Sequence, residues 1–249
     1  MRATLGKYTP LLSMLVLLLI WKLLATFAHS NLLPPPEMVF QILIREIQEG
    51  KLTFHLGITL LRLFISFLIA MTLGSLIGVL LGLFSRADRF FDSWVVISLN
   101  VPALVTIILC YVWLGLNEFA AITAVVLNKL PNVVVTLREG TRHISRDLLE
   151  MARVYRFGRI KTFRHVIGPE LFPYALTAAR TGIALIWKII LVVELLGRSN
   201  GMGYQLHLYF QTFDVARILA YSMAFIVVVQ VIEWVFIRPL DQRAQRWRR

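Results

Sequence analysis

The stretch LGITLLRLFISFLIAMTLGSLIGVLLGL, residues 56–83, decides the class of fold. It contains 28 residues, and Arg62 is its one charged side chain. A helix needs about 20 mainly apolar residues to cross roughly 30 Å of hydrocarbon, so this stretch predicts a long membrane-spanning helix. Gly74, Gly78 and Gly82 recur every four residues, which lets a neighbouring helix approach one face closely. We therefore predict a helical membrane protein with tight packing along this face.

The composition of the whole chain agrees with a membrane protein and excludes other classes. Of the 249 residues, 58% are hydrophobic and 16% are charged, whereas a soluble domain is usually ~45–50% apolar and ~25% charged. The same numbers exclude intrinsic disorder. The net charge of +12 is typical of nucleic-acid-binding proteins, but no soluble binding domain is built from so much Leu, Ile and Val. We expect no nucleic-acid partner.

Patterns for catalysis and metal binding are absent from the sequence. The single cysteine, Cys110, permits no internal disulfide, and the five histidines are scattered without metal-ligand spacing. The phosphate loop Gly-x-x-x-x-Gly-Lys-Ser/Thr does not occur, so the chain cannot bind and hydrolyse ATP by that mechanism. We therefore expect a protein that is not an enzyme and holds no cofactor or metal.

Six stretches are long and apolar enough to be membrane spans, at residues 11–28, 57–84, 94–114, 120–137, 174–196 and 218–237. The longest segments between them are too short to form a separate soluble core. The sequence therefore predicts an all-α polytopic membrane protein with six transmembrane helices, in which residues 1–249 form one transmembrane domain.

The basic residues indicate how the spans are oriented. With a cytoplasmic N-terminus, 17 of the 26 Lys and Arg residues fall in the inside segments 1–10, 85–93, 138–173 and 238–249. Three fall in the outside segments 29–55, 115–119 and 197–216. Because cytoplasmic loops carry the excess of Lys and Arg, we predict that both termini face the cytoplasm.

The loop at residues 138–173 is unusually regular. Ser145 is placed to cap a first helix, Gly158 interrupts the pattern, and Gly168-Pro169 is predicted to end a second short helix. The outer surface of this helix–bend–helix unit mixes apolar and basic residues. It suits a groove on a soluble partner, and it equally suits an interfacial linker attracted to anionic lipid. Periodicity alone leaves both alternatives open.

Charges inside spans are costly in a membrane and are usually functional or paired. Arg180, Lys188 and Glu194 share the fifth span, where Arg180 and Glu194 are separated by about 21 Å along a helix and cannot pair directly. Lys129, in the fourth span, is a candidate partner for Glu194. These four residues form either a polar translocation pathway or a buried structural ion network.

Smaller features lie near the ends of the spans. Residues 38–49 have the apolar spacing of an amphipathic helix outside the membrane, which would be an interfacial helix or a docking surface. The polar and aromatic segment 197–214 is either a short gate helix beneath a binding protein or a solvated connector. Pro102 and Pro131 are predicted to interrupt their helices, either as breaks that free backbone carbonyls near a cavity or as simple kinks.

The cytoplasmic loop also resembles a known family motif. Glu-Met-Ala at residues 150–152, a glycine, and Val-Ile-Gly-Pro at residues 166–169 resemble the "EAA" loop of ABC importer permeases. The family pattern is Glu-Ala-Ala, a glycine, a hydrophobic pair and Leu-Pro. Met replaces the first Ala and Gly replaces Leu. Arg156 occupies the usual glycine position, with Gly158 two residues later.

Further stretches resemble the nitrate/sulfonate/taurine branch of that family, in the family's order, over about residues 50–240. Residues 56–83 resemble its Ser-Leu-x-Arg start and glycine-rich core helix. Val101-Pro102 and residues 114–118 resemble its third-helix pattern, and residues 193–204 resemble its Glu-Leu-Leu-Gly and Gly-Leu-Gly-Tyr stretch.

The resemblance implies the permease subunit of a bacterial ABC importer, with the type I permease fold, in the inner membrane. It implies a homodimer that docks two cytoplasmic ATPase subunits on residues 145–169 and a periplasmic solute-binding protein on its outer loops. The solute would be a small organic or inorganic anion such as a sulfonate, taurine or nitrate. The residues expected to couple to the ATPase are Glu150, Ala152, Arg146, Arg153, Gly158 and Pro169.

Two other classes of function remain as alternatives. A secondary transporter would use Glu194, Lys188 and Arg180 as an ion relay, and it predicts uptake without an ATPase and sensitivity to protonophores. A membrane-embedded enzyme predicts a cluster of polar catalytic groups at one interface, which the sequence does not contain.

Overall fold

The computed structural model describes residues 2–28, 32–237 and 239, and within them the chain is helical without strands. The basic tail at residues 240–249, Arg238 and residues 29–31, all used in the charge count, lie outside the described residues. The helices are α1 (Arg2–Ala28), α2 (Pro36–Gln48), α3 (Lys51–Leu83), α4 (Ser85–Asn100), α5 (Ala103–Leu114), α6 (Glu118–Arg142), α7 (Arg146–Val154), α8 (Arg159–Thr162), α9 (Gly168–Gly197), α10 (Met202–Gln211) and α11 (Val215–Ile232). π-helical turns at Phe163–Ile167 and Glu233–Ile237 precede α9 and follow α11.

The prediction of an all-α membrane fold is confirmed, but the count of six spans is not reproduced. Four described helices are long and apolar enough to cross a membrane: Lys51–Leu83, Glu118–Arg142, Arg159–Gly197 and Val215–Val235. The pair α4 and α5 makes a fifth if the two count as one broken span. In α1, the apolar part of the described residues is the shorter segment Leu12–Phe27.

The third predicted span, residues 94–114, is not one straight helix. The axes of α4 and α5 meet at 98°. Val101 is extended, with φ −69° and ψ 124°, as the ring of the following proline requires. Pro102 then caps α5, because its carbonyl accepts from the backbone N–H groups of Val105 and Thr106 at 3.0 and 3.2 Å. By contrast Pro131 lies buried inside the continuous helix α6, so it does not break the helix, and the alternative of a simple kink stays a prediction.

Helix α6 packs closely against α3 along the predicted glycine face. A Cβ atom added to Gly74 would lie 2.6 Å from Cβ of Val133, and one added to Gly82 would lie 2.4 Å from Cβ of Thr141. At Gly78 the added atom would lie 2.6 Å from a backbone carbonyl of α6. The backbones of the two helices therefore meet with no room for side chains, and the predicted packing role of the three glycines is confirmed. Pro131 is held in place by the same packing, since α6 also contacts α5 and α9.

The predicted end of a helix at Gly168-Pro169 is also wrong. The chain stays helical from Arg159 to Gly197, a length of 39 residues. In the π-helical turn, the N–H of Gly168 bonds to the carbonyl of Phe163, five residues back. This wider turn accommodates Pro169, which lacks the N–H that a regular α-helix would use. At 1.5 Å per residue the helix is about 58 Å long, roughly twice the thickness of the hydrocarbon.

The outer helix α2 packs on α11. Val39 is fully buried, and the buried carboxylate of Glu46 accepts from Nε of Arg217 at 3.2 Å and from the hydroxyl of Tyr221 at 2.9 Å. The predicted helix at residues 38–49 therefore exists, with one face clamped to the bundle by an ion pair. Its opposite face, including Ile47, is exposed.

Candidate functional site

The loop that is predicted to be cytoplasmic folds into α7, a tight turn, α8 and the first residues of the π-helical turn, here together called the elbow (residues 145–165). Ser145 occupies the N-cap position of α7, as predicted, but its side chain makes no capping hydrogen bond. Asp147 lies in the first turn of α7, where a negative charge interacts favourably with the helix dipole. The elbow continues through the π-helical turn directly into α9.

The turn of the elbow is a Schellman motif centred on Arg156. The N–H of Phe157 bonds to the carbonyl of Ala152 at 2.8 Å, and the N–H of Arg156 bonds to the carbonyl of Arg153 at 3.0 Å. This pair of bonds places Arg156 at the left-handed position that usually carries glycine, with φ +51°. A residue with a Cβ atom loses about 1–2 kcal/mol in that conformation. The chain therefore places an arginine where glycine is favoured.

Gly158, the predicted bend residue, does not make the turn. Its φ of −64° is available to any residue, and its carbonyl accepts the first helical bond of α8 from Thr162 at 2.9 Å. A Cβ atom added there would meet nothing within 4 Å. The bend lies two residues earlier, at the position that the family motif assigns to glycine.

The two residues of the family motif face different environments. Ala152 is 2% exposed where α7 contacts the π-helical turn, in which Val166 is the buried residue. Glu150 is exposed. The motif thus divides into a small buried residue on the helix that packs against the π-helical turn and a carboxylate that is exposed.

The remaining surface of the elbow is apolar and basic. Val154, Tyr155 and Ile160 are 79%, 71% and 85% exposed. Six basic and two acidic residues lie between positions 145 and 165. Within the described part of the chain, Arg153 and Arg156 form no ion pair.

An ion cluster beside the elbow ties α4 to the end of α6. Nη1 of Arg138 donates to Asp92 at 2.7 Å and to Asp88 at 3.2 Å, and Arg142 also bonds Asp88. Asp88 and Arg138 are buried. Sequence reasoning missed this cluster, although the spacing of four residues within each pair was a usable signal.

At the other end of α9, the fully buried carboxylate of Glu194 binds the turn that leads into α10. One oxygen accepts from Nη1 of Arg62 at 2.7 Å, and the other accepts from the backbone N–H of Gly203 at 2.9 Å. The hydroxyl of Thr59 lies 2.9 Å from both oxygens. Arg62 is thus the cation on Glu194, and the predicted pairing with Lys129 is wrong.

Two glycines are required where α10 begins. Gly201 has φ +109°, and a Cβ atom there would lie 2.3 Å from the carboxyl carbon of Glu194. A Cβ atom on Gly203 would lie 2.2 Å from the carbonyl oxygen of Leu191. Glycine at these two positions therefore lets the turn approach a buried carboxylate closely enough for the N–H of Gly203 to donate to it.

Arg62 extends this arrangement, here called the outer network, to two further elements. Its Nε and Nη2 donate to the carboxylate of Glu118 at 2.8 and 2.6 Å, and its Nη1 also donates to the carbonyl of Asn200 at 2.9 Å. Arg198 donates to the same Glu118 at 2.6 Å. The signal for Arg62 was present in the sequence as the one charge in residues 56–83.

The structure does not bring the four predicted pathway residues together. Lys129 is 1% exposed between α6 and α9, where its Nζ lies 3.5 Å from the hydroxyl of Thr181. Arg180 and Lys188 instead line a cleft of about 310 Å³ between α9 and α11, opposite Glu233. Glu194 belongs to the outer network. No group of three or more possible metal ligands occurs among the described residues.

Comparisons with known proteins agree with this arrangement of helices. The aliphatic sulfonates transport permease SsuC of Bacillus subtilis, a putative assignment by its own name, is 28% identical over 98% of this chain and 88% of that protein. The like-named SsuC of Escherichia coli is 33% identical over 74% of this chain and 71% of its own length. The inward-facing MetNI methionine ABC transporter has the same fold, with a TM-score of 0.66 and 20% identity over 79% of this chain and 98% of that chain.

Residues 70–243 match the family model described as the binding-protein-dependent transport system inner membrane component. The matched region includes α6, the elbow, α9 and α10, and so contains both the EAA-like loop and the turn that Glu194 holds. The relatives are transport permeases and not enzymes. The chain therefore belongs to the family of binding-protein-dependent inner-membrane transport components and is an ABC importer permease of the nitrate/sulfonate/taurine branch.

Proposed function

We propose that this permease imports a small organic or inorganic anion, such as a sulfonate, taurine or nitrate, and that a separate ATPase drives it through the elbow. The observation that carries the coupling proposal is the exposed surface of the elbow. Val154, Tyr155 and Ile160 are largely exposed although they lie at the basic, cytoplasmic end of the long helix. Exposed apolar clusters rimmed by polar residues are typical of protein–protein contact sites.

The continuity of the helix supports a lever. Residues from Arg159 to Gly197 form one helical element, so a displacement at the elbow is carried along α9 towards the outer network. In this proposal Glu150, Arg146 and Arg153 face the ATPase, and Ala152 keeps α7 seated on α9. Pro169 lies in the region of the π-helical turn, and Gly158 begins α8.

The cleft between α9 and α11 is our candidate for part of the solute pathway. Arg180 and Lys188 give its polar surface two cationic groups, which suits an anionic solute. The pathway would be completed by a second copy of the permease, and a periplasmic binding protein would deliver the solute. We assign Lys129 and Glu194 to the packing of the protomer because both are buried within it.

The proposal implies that both termini face the cytoplasm, together with the elbow. The basic residues support this orientation, since the elbow alone has six. Cysteines placed singly at exposed Lys161 and at exposed Gln211 test it by labelling of intact cells with an impermeant thiol reagent. Labelling at position 211 and protection at position 161 are expected, and the reverse pattern would contradict the orientation.

Transport in proteoliposomes tests the coupling. The permease would be reconstituted with its ATPase and binding protein, with the ATPase and ATP both inside the vesicles. Uptake of labelled taurine, an alkanesulfonate and nitrate would then be measured. We expect uptake of at least one of them that an ATPase-inactive variant abolishes and a protonophore leaves unchanged. Glu150→Ala should retain assembly of the permease and lose most of the uptake. Uptake without the ATPase, abolished by a protonophore, would favour the secondary transporter.

A further inference from the structure

Arg156 has a backbone conformation in the elbow that disfavours an arginine. Its left-handed φ of +51° is the conformation that glycine adopts without strain, and the turn around it is closed by backbone hydrogen bonds alone. The side chain is exposed, and among the described residues it forms no ion pair that would offset this strain. The backbone of this turn therefore gives no reason for an arginine here, whereas a contact outside the protomer would give one.

The charges around Arg156 indicate the chemistry of that contact. The elbow carries six basic residues against Asp147 and Glu150. In the described part of the chain, Arg153, Arg156 and Arg159 all lack an ion-pair partner. The neighbouring Tyr155 is 71% exposed, so a partner that covers the turn removes both apolar and cationic surface from water. Such a partner must carry anionic groups if the cations are not to be left unpaired, and carboxylates are the anionic groups that a protein surface supplies.

We propose that the guanidinium of Arg156 pairs with a carboxylate on the rim of the ATPase cleft that receives the elbow, and that this rim is acidic. The inference rests on the proposed docking of the elbow and adds the residue and the charge that select the partner. A guanidinium presents a planar set of donors that matches a carboxylate in a bidentate pair. The apolar surface of Tyr155 and Val154 beside it excludes water and strengthens the pair.

The substitution Arg156→Gly gives an unusually clean test. It removes the guanidinium and at the same time relaxes the left-handed backbone, so the variant should melt at or above the wild-type temperature. Arg156→Lys keeps the charge and loses the bidentate geometry. Arg86→Ala is the matched control, because Arg86 is another exposed basic residue in the first turn of α4 at the same membrane face.

The measurement is the dissociation constant between the full-length permease in nanodiscs and its purified ATPase subunit. In phosphatidylcholine nanodiscs at 0.1 M salt, we expect Arg156→Gly to bind about tenfold more weakly, which corresponds to about 1.4 kcal/mol. Arg156→Lys should bind about threefold more weakly and Arg86→Ala within twofold of the wild type. The difference between wild type and Arg156→Gly should shrink at 0.5 M salt, where charges are screened more strongly.

Each contrary outcome has its own meaning. Wild-type affinity of Arg156→Gly would overturn the role of Arg156 and leave the docking of the elbow intact. A loss that appears only when the nanodiscs contain phosphatidylglycerol would overturn it in favour of an anionic headgroup. Absence of ATPase binding by the wild type, with the permease folded, would overturn the proposed coupling itself and this inference with it.

Discussion

The two ends of α9 are held by turns of opposite character. At the outer end, Glu194 is fully buried and all of its contacts lie within the protomer, from Arg62 and from the backbone of the following helix. At the opposite end, the elbow leaves Arg156 exposed in a left-handed conformation and has large exposed apolar side chains. A turn that satisfies its own charges fixes a fold, whereas a turn with exposed and unpaired groups presents a surface for another molecule.

The largest expected effect on the fold is at Gly201, in the turn that Glu194 holds. In Gly201→Ala the added Cβ would lie 2.3 Å from the carboxyl carbon of Glu194, on a backbone with φ +109°. Both the clash and the conformation oppose the substitution, so we expect a loss of more than about 4 kcal/mol and little folded permease in the membrane. The yield of monodisperse protein in size-exclusion chromatography measures this.

The matched control is Gly57→Ala. Gly57 also lies near the outer end of the bundle, in the first turns of α3, and a Cβ atom added there meets nothing within 4 Å. Its yield should equal that of the wild type. An equal, normal yield of Gly201→Ala would show that Glu194 can move away from the turn and that the outer network is not rigid.

Arg62→Met should have the next largest effect. It leaves the carboxylate of Glu194 buried with its counter-ion removed and deprives Glu118 of two hydrogen bonds. Removing one partner of a buried pair costs about 3–5 kcal/mol, which should appear as a large decrease in melting temperature in detergent. Arg45→Met removes an exposed pair with Glu49 and should leave the melting temperature close to that of the wild type. Equal melting of the two variants would contradict the structural role of the outer network.

Ala152→Leu tests whether the elbow can be disturbed without unfolding the helix bundle. Ala152 is 2% exposed between α7 and the π-helical turn, and a larger side chain there should cost about 1–3 kcal/mol through overpacking. Because the elbow is one end of the helix, we expect the bundle to remain folded while α7 is displaced. Proteolysis of the elbow should accelerate, with the global melting temperature changed little. Met151→Leu, at an exposed neighbour, is the control and should leave proteolysis unchanged.

The sequence predicted the helices better than it predicted the breaks between them and the contacts of their buried charges. Hydrophobic length located the apolar helices, and glycine spacing located the contact between α3 and α6, because both depend on local pattern and on the thickness of a membrane. The patterns were insufficient at Pro131 and Pro169, where neighbouring helices and a π-helical turn accommodate a proline that local rules treat as a break. Partners of buried charges were equally hidden, since Arg62 and Glu194 are 132 residues apart.

The candidate site was predicted by resemblance more than by periodicity, and its details depend on which residue makes the turn. Local rules favour a glycine at a bend, so Gly158 was the natural choice. The hydrogen bonds of a Schellman motif are set by the last turn of α7, however, and they place the left-handed residue at Arg156. A motif with a substituted glycine therefore misleads when the nearest remaining glycine is taken in its place.

The smallest expected effect tests that reassignment directly. Gly158→Pro should be tolerated within about 0.5 kcal/mol, because φ of −64° is the value that a proline ring imposes and the position precedes the first residue of α8. Arg156→Pro should disrupt the elbow, since no proline can adopt φ +51°. The two variants place the same residue two positions apart in one turn. Arg156→Pro also removes the guanidinium, so Arg156→Gly, which lacks it too, is the reference for its ATPase binding. ATPase binding and resistance of the elbow to proteolysis measure both, and a disruptive Gly158→Pro with a tolerated Arg156→Pro would return the bend to Gly158.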